Sequence, residues 1–331
     1  MHKVFITGGA GYCGSRLVPQ LLNNGYKVTV YDTQYFGNVL KKNENLTVIK
    51  GDIRDHNKIE SYCADHDIFI SLACVSNDAS FELDENLSTS VNMNAFEPMV
   101  IAAKKAKIKR FIYASSSSVY GVSKEKDVTE DHPLVPLTLY NKYKGQCEPI
   151  LEKYIDENFK GVTFRPATVC GFAPRLRLDL TVNILTNHAI INDLIKVFGG
   201  DQLRPNLHIQ DYCDAVELLM NAPIEKINKE KFNIGYQNLS ISQIAGIVEN
   251  IVMEEFPEKN EIKIVTTKSD DNRSYHINSD KIKNILGFVP KFTVEDAVRD
   301  LSNAFKKNLI INSFENDIYY NVKRFKNLEI S

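Results

Sequence analysis

The chain has 331 residues, with 40 Lys and Arg against 42 Asp and Glu and a formal net charge of −2. At 43% hydrophobic and 25% charged it is long enough to bury one large core or two adjoining ones. The even charge balance, without a polybasic block, excludes the counterion-releasing surface that nucleic-acid binding needs.

In chain order, "KVFIT" (3–7) reads as a strand and is followed at once by the glycine-rich "GGAGYCG" (8–14). A helix is expected from "CGSRLVPQLLNNG", with a bend or a broken hydrogen bond at Pro19, which lacks a backbone donor, and a stop at Gly25. Further apolar, β-branched runs follow at "KVTVYD" (27–32), "LTVIKGD" (46–52), "DIFISLA" (67–73), "RFIYASS" (110–116) and "GVTFRPATV" (161–169). Segments able to form helices separate them, and "AAKKAKIKR" (102–110) reads as a solvated helix end. Such alternation predicts an α/β fold: a Rossmann-type doubly wound parallel sheet with a smaller α/β C-terminal domain. The expected boundaries are 1–170 for the first domain, with room for later segments to return to it, 171–311 for the second, and a tail over 312–331. That tail is polar yet carries Phe314, Tyr319, Tyr320 and Phe325, and the sequence leaves open whether it packs on its own body or on a partner.

Six cysteines are scattered without a C-x-x-C pair, as suits a reducing compartment, and seven histidines show no ligand spacing, so no metal is expected. No window approaches the ~18 apolar residues of a membrane span, and "MHK" runs into a strand without a cleavable leader. A soluble cytoplasmic protein with no membrane partner is expected.

Gly9, Gly11 and Gly14 fit G-x-G-x-x-G, and Gly8, Gly11 and Gly14 fit G-x-x-G-x-x-G. Between a strand and a helix such a loop, here also containing Tyr12 and Cys13, brings the backbone close to a pyrophosphate at a helix N-terminus. Asp32 ends the second strand, near the spacing at which a carboxylate reaches the adenosine ribose. An anion there accepts from the 2′-OH and repels a 2′-phosphate, and "TQYFGN" after it holds no Arg or Lys, so NAD is expected rather than NADP. Asp52 and Ile53 in "GDIRD" form a polar–apolar pair that could grip adenine, although a Gly-Asp turn is commonplace.

"ASSSSVYG" (114–121) follows a strand, and in "YNKYKGQ" Tyr140 and Lys144 stand at i and i+4, on one helix face. A tyrosine acting as a base near neutrality needs about 4 kcal/mol of preferential phenolate stabilisation. One ammonium at ~4 Å supplies about that at an effective dielectric near 20. Y-x-x-x-K also arises on ordinary amphipathic helices; its place after a nucleotide loop and a serine cluster favours chemistry.

With these residues in view the chain resembles the extended short-chain dehydrogenase/reductases of the nucleotide-sugar epimerase/dehydratase group over nearly its whole length. The likeness rests on "TGGAGYCGS", "VYD", "GDIRD", "SLA", "SSSSVYG", "YNKYK", "RPATVCG", "RPNLHIQD" and "LGFVPKFTVEDAV". It implies NAD against the first half, including Leu72 and Ala73, and a nucleoside-diphosphate sugar against the second. It also implies Tyr140 as base and acid, Lys144 as partner to Tyr140 and to the nicotinamide ribose, Ser116 as a hydroxyl donor, and a homodimer. Ser117, Thr168, Arg177, Arg204 and Arg273 are the implied substrate contacts, and Asn92 matches a family Asn that could equally be a core hydrogen-bonding residue.

Dehydratases of the group carry Thr-Asp-Glu where this chain has Ser116, Ser117 and Ser118, and hydroxyls do not replace carboxylates as acid and base. The related decarboxylases keep a Glu at the third place. An epimerase acting through a 4-keto sugar needs neither acid and is the expected activity. A 4-dehydrogenase is the rival, given Arg175 and Arg177 in "APRLRLDLTVN", and a non-catalytic NAD sensor is the alternative of another class.

Overall fold

The computed structural model describes residues 2–123, 125, 127–268 and 274–328. Twelve strands are found among them: β1 Lys3–Thr7, β2 Lys27–Asp32, β3 Leu46–Lys50, β4 Ile68–Ser71, β5 Arg110–Ala114, β6 Lys160–Pro166, β7 Thr168–Cys170, β8 Leu194–Phe198, β9 Leu203–His208, β10 Lys231–Ile234, β11 Gln237–Ser240 and β12 Lys263–Thr267. Seven of them form one parallel sheet in the order β10-β6-β5-β4-β1-β2-β3. Every residue of β4 is buried, as expected of a strand covered on both faces. On one face Ile6, Ile70 and Ile112 meet Leu17 and Leu21 of the helix Tyr12–Asn23 and Val216 and Leu219 of the helix Ile209–Asn221. On the other, Phe5, Phe69 and Phe111 pack with Met99 and Val100 of the helix Phe96–Lys105, with Phe69 and Phe111 stacked 4.7 Å apart.

One detail departs from the sequence reading. Residues 161–169 do not make one strand: β6 lies in the large sheet, and β7 pairs with β9 in a three-stranded sheet ordered β11-β9-β7. Pro166 has no amide for continued pairing, and Ala167 N donates to Ile234 O at 2.8 Å as the chain changes sheets. The first helix runs on through Pro19 to Asn23, so the missing donor costs one intrahelical bond without ending the element. Gly25, at φ +85°, does stop the chain there, its amide donating to Leu22 O at 3.1 Å.

A third apolar core lies among the helices Thr181–Asn192, Ile241–Glu255 and Val294–Lys306. Among the described residues no helix is long and apolar enough to cross a membrane. The loops leaving β1, β2, β4, β5 and β7 converge on one cavity of about 610 Å³, at the strand C-termini where open parallel sheets hold ligands.

Candidate active site

At the mouth of β1 the glycine loop is held from both sides. Gly8 N donates to Tyr31 O at 3.0 Å and Leu72 N to Thr7 O at 3.0 Å. Gly8 sits at φ +76°, and a Cβ there would lie 2.6 Å from Ala73 N; one on Gly14 would lie 2.4 Å from Gly9 O. Only glycine permits this packing of loop, helix and neighbouring strand. Gly11 caps the helix without a side chain, and the first helical amides, which have no intrahelical acceptor, belong to Tyr12, Cys13 and Gly14 at the cavity wall. The cradle and the cavity fit a pyrophosphate-containing dinucleotide.

Asp32 lines the same cavity with Asp52, Ile53, Leu72 and Ala73. Its two carboxylate oxygens each accept one backbone amide, from Ala10 at 3.0 Å and from Gln34 at 2.7 Å. Burial raises its pKa above the ordinary carboxylate value, with those two bonds and Arg175 opposing the rise. The stretch after Asp32 holds no cation, but Arg175, far along the sequence, places its guanidinium 3.6 Å from the centre of the Phe36 ring and acts on that carboxylate. Asp52 accepts from Arg54 Nε and Nη2, which fixes the "GDIRD" turn.

Thr138 caps the helix Leu139–Tyr154, its hydroxyl accepting from Asn141 N, and Tyr140 and Lys144 both line the cavity. Lys144, expected near the phenol or near a bound ribose, is anchored at the end of β5. Its Nζ donates to Ala114 O at 2.8 Å and lies 5.3 Å from the Tyr113 ring. Burial, then the thiol of Cys74, push the Tyr140 pKa well above its ordinary value, and Arg177 is the cation that opposes them. Ser116, Ser117 and Ser118 reach the cavity from the end of β5. Ser118 Oγ donates to Asn141 Oδ1 at 2.5 Å and lies 2.7 Å from Ser116 Oγ, so a hydroxyl relay joins the serine turn to the residue beside Tyr140.

On the opposite wall stand Thr168 at the start of β7, Arg177, Arg204 and Tyr275. Arg177 is committed to a fork on Asp179, at 2.9 and 3.1 Å, and to Ser76 Oγ at 3.2 Å. Burial alone would raise the Asp179 carboxyl, yet Arg177 holds it below the ordinary value. The Arg204 guanidinium lies 5.1 Å from the Tyr275 ring centre. Arg273 lies outside the described residues. Asn92 clamps the β4 loop from within, accepting from Val75 N and donating to Val75 O, each at 2.8 Å.

Sequence reasoning missed a buried support beneath the helix of Tyr140. Arg165 of β6 grips Glu148 through Nε at 2.9 Å and Nη2 at 2.6 Å, and donates through Nη1 to Tyr120 Oη at 2.6 Å. Ser115 Oγ also donates to Glu148, at 2.7 Å. Arg165, set inside the apolar run "GVTFRPATV", was the available signal, since lone buried charges are rare. Asn141 was missed as well, and Arg175, which the sequence reading sets with Arg177 near the substrate mouth, lies against Phe36 and acts on Asp32.

A profile of the NAD dependent epimerase/dehydratase family matches residues 4–235. The low-salt glycan biosynthesis protein Agl12 of Haloferax volcanii is 28% identical over 304 residues, covering 89% of this chain and 96% of its own length. The UDP-glucuronic acid decarboxylase 1 of Xenopus tropicalis is 26% identical, covering 93% of this chain and 73% of its own. Among solved structures, the UDP-glucose 4-epimerase of Thermotoga maritima with UDP-glucose superposes with a TM-score of 0.82 at 25% identity, over 93% of this chain and 99% of that one. The matched span takes in the glycine loop, Asp32, the serine turn and the helix of Tyr140 and Lys144, and on it the chain belongs to the NAD dependent epimerase/dehydratase family, whose members work on nucleotide sugars with NAD.

Proposed function

We propose that the protein is an NAD-dependent nucleotide-sugar epimerase that works through a 4-keto sugar, in the making of cell-surface glycans. The observation that carries this reading is the serine turn. Residues 116–118 offer hydroxyls to the cavity where elimination of water, or control of a lost carboxyl, would call for carboxylates. The acids elsewhere on the wall are engaged: Asp179 by Arg177, Asp32 by two amides, and Asp78 as acceptor of the Thr138 hydroxyl at 2.6 Å.

NAD, when bound, supplies the acceptor and later the donor of hydride. The chain's own residues then have these tasks. Tyr140 Oη takes the proton from the sugar 4-hydroxyl, holds it while the ketone exists, and returns it after the sugar has turned its other face. Ser116, held through Ser118 by Asn141, steadies the same oxygen. The Lys144 ammonium, anchored on Ala114, is a partner for the nicotinamide ribose. Arg204 and Arg273 are forks for the diphosphate, and Thr168 and Arg177 border the sugar.

The test is mass spectrometry and NMR of products from a panel of nucleoside-diphosphate sugars, with Tyr140→Phe as control. An isomer of unchanged mass is expected. A product lighter by water or carbon dioxide, or net accumulation of NADH with a keto sugar, overturns the epimerase reading in favour of a dehydratase, a decarboxylase or a dehydrogenase.

A further inference from the structure

The C-terminal stretch packs on its own chain, and it does so at the cofactor end of the cavity. Leu178 N donates to Tyr319 O at 2.9 Å, and Asn187 Nδ2 to Tyr320 Oη at 3.2 Å. Asn321, only 3% exposed, then joins two loops. Its amide donates to Asp179 Oδ2 at 3.1 Å, its Nδ2 to Ser76 Oγ at 2.9 Å, and its Oδ1 accepts from Arg175 Nη2 at 2.6 Å. One turn later Arg324 Nε donates to Tyr35 O at 2.6 Å, and the Phe325 ring meets Tyr35 and Phe36 edge-on at 6.1 and 5.6 Å.

These partners sit on the loops that leave β2, β4 and β7. Asn321 and Phe325 themselves line the cavity that holds the glycine cradle and Asp32. Arg175, fixed between Asn321 and Phe36, keeps a buried Nε without a hydrogen-bond partner among the described residues, a donor that an anionic group at this end would satisfy. A chain terminus is ordinarily loose unless tied down, and this one is tied to the residues that flank the adenosine end of the cleft.

We infer that the segment Tyr319–Phe325 is a wall of the dinucleotide site, with Phe325 closing the adenosine end against Tyr35 and Phe36 and Asn321 setting Arg175. A bound dinucleotide then leaves only when this segment moves, so the segment sets the rate of cofactor exchange. The inference rests on the family's cofactor and not on the epimerase reading, and neither readout below requires sugar turnover.

The first measurement is release of 1,N6-etheno-NAD from the whole protein into excess NAD, followed by stopped-flow fluorescence. Phe325→Ala and Asn321→Ala are each expected to release the probe about tenfold faster, while Lys326→Ala, on an exposed position of the same helix, keeps the wild-type rate. Unchanged release in the Phe325 and Asn321 variants overturns the inference. The second needs no variant: in hydrogen exchange of the wild-type chain, amides of 319–325 gain protection when NAD is added. Equal protection with and without NAD overturns the inference, even if a variant fails to fold.

Discussion

Lys144 Nζ is bound to the main-chain oxygen of Ala114 at 2.8 Å, and Arg177 is a cation that opposes the rise in the Tyr140 pKa. A tyrosine whose pKa is raised, here first by burial, holds its proton at neutral pH and becomes a base only as pH climbs. Removing Arg177 takes away the opposing charge and frees Asp179, and both changes raise the phenol further. In Arg177→Met the acid-side limb of the kcat/KM profile moves to higher pH. A limb that stays in place would remove Arg177 from the tuning of Tyr140.

Asn141 acts on Tyr140's surroundings through Ser118 rather than by touching substrate. With the amide removed, Ser118 loses its 2.5 Å partner and Ser116 its fixed rotamer. Asn141→Ala is expected to lower kcat by about 10- to 100-fold, a size typical of small misplacements near the reacting atoms, with KM changed much less. Asn141→Asp, which restores an acceptor, recovers part of the loss. Steady-state kinetics of the two variants decide it: a pure KM effect argues against the relay.

Asp32 predicts cofactor choice and its pH dependence. On the proposed reading the ionised carboxylate accepts the ribose hydroxyl, and loss of one charge-assisted bond costs about 1.5–3 kcal/mol, or roughly 10- to 100-fold in affinity. Asp32→Ala therefore weakens NAD by that factor, and wild type prefers NAD to NADP. Because burial raises the Asp32 pKa, the wild-type affinity falls on acidification at a higher pH than an ordinary aspartate, of value 3.8, would give. Calorimetric titration with NAD at descending pH checks this, and Asp32→Ala should lack the dependence.

Glu148 and Arg165 are a stability test separate from chemistry. Their side chains are 1% and 3% exposed, so removing one charge strands the other in the core. Glu148→Gln is expected to cost about 3–5 kcal/mol. In urea the midpoint falls while the slope stays the same, as for a loss of stability without a change in the surface exposed.

Much of the cofactor half was legible because its signals are local. The strands alternate with helices in sequence, Gly8, Gly11 and Gly14 sit between a strand and a helix, and Asp32 ends the next strand. All the expected site residues within the described part meet at one cavity, although their roles await experiment. What escaped depends on partners distant in sequence. Arg175 reads as part of the substrate mouth until the fold lays it on Phe36, and Arg165 finds Glu148 only across a strand–helix interface. The i,i+4 spacing put Tyr140 and Lys144 on one face, but spacing says nothing of the carbonyl at the end of β5 that captures the ammonium. The tail's polar composition likewise hid its seat, because its anchors are side-chain bonds to three separate loops.

The change of sheet at Ala167 has a mechanical consequence. β6 belongs to the large sheet and β7 to the small one, with that single buried residue between them on the cavity wall. The chain also crosses between the sheets at Gly235 and Tyr236, between β10 and β11, so two short links join them. Any displacement of one sheet against the other must therefore twist both short links together, without slack at either.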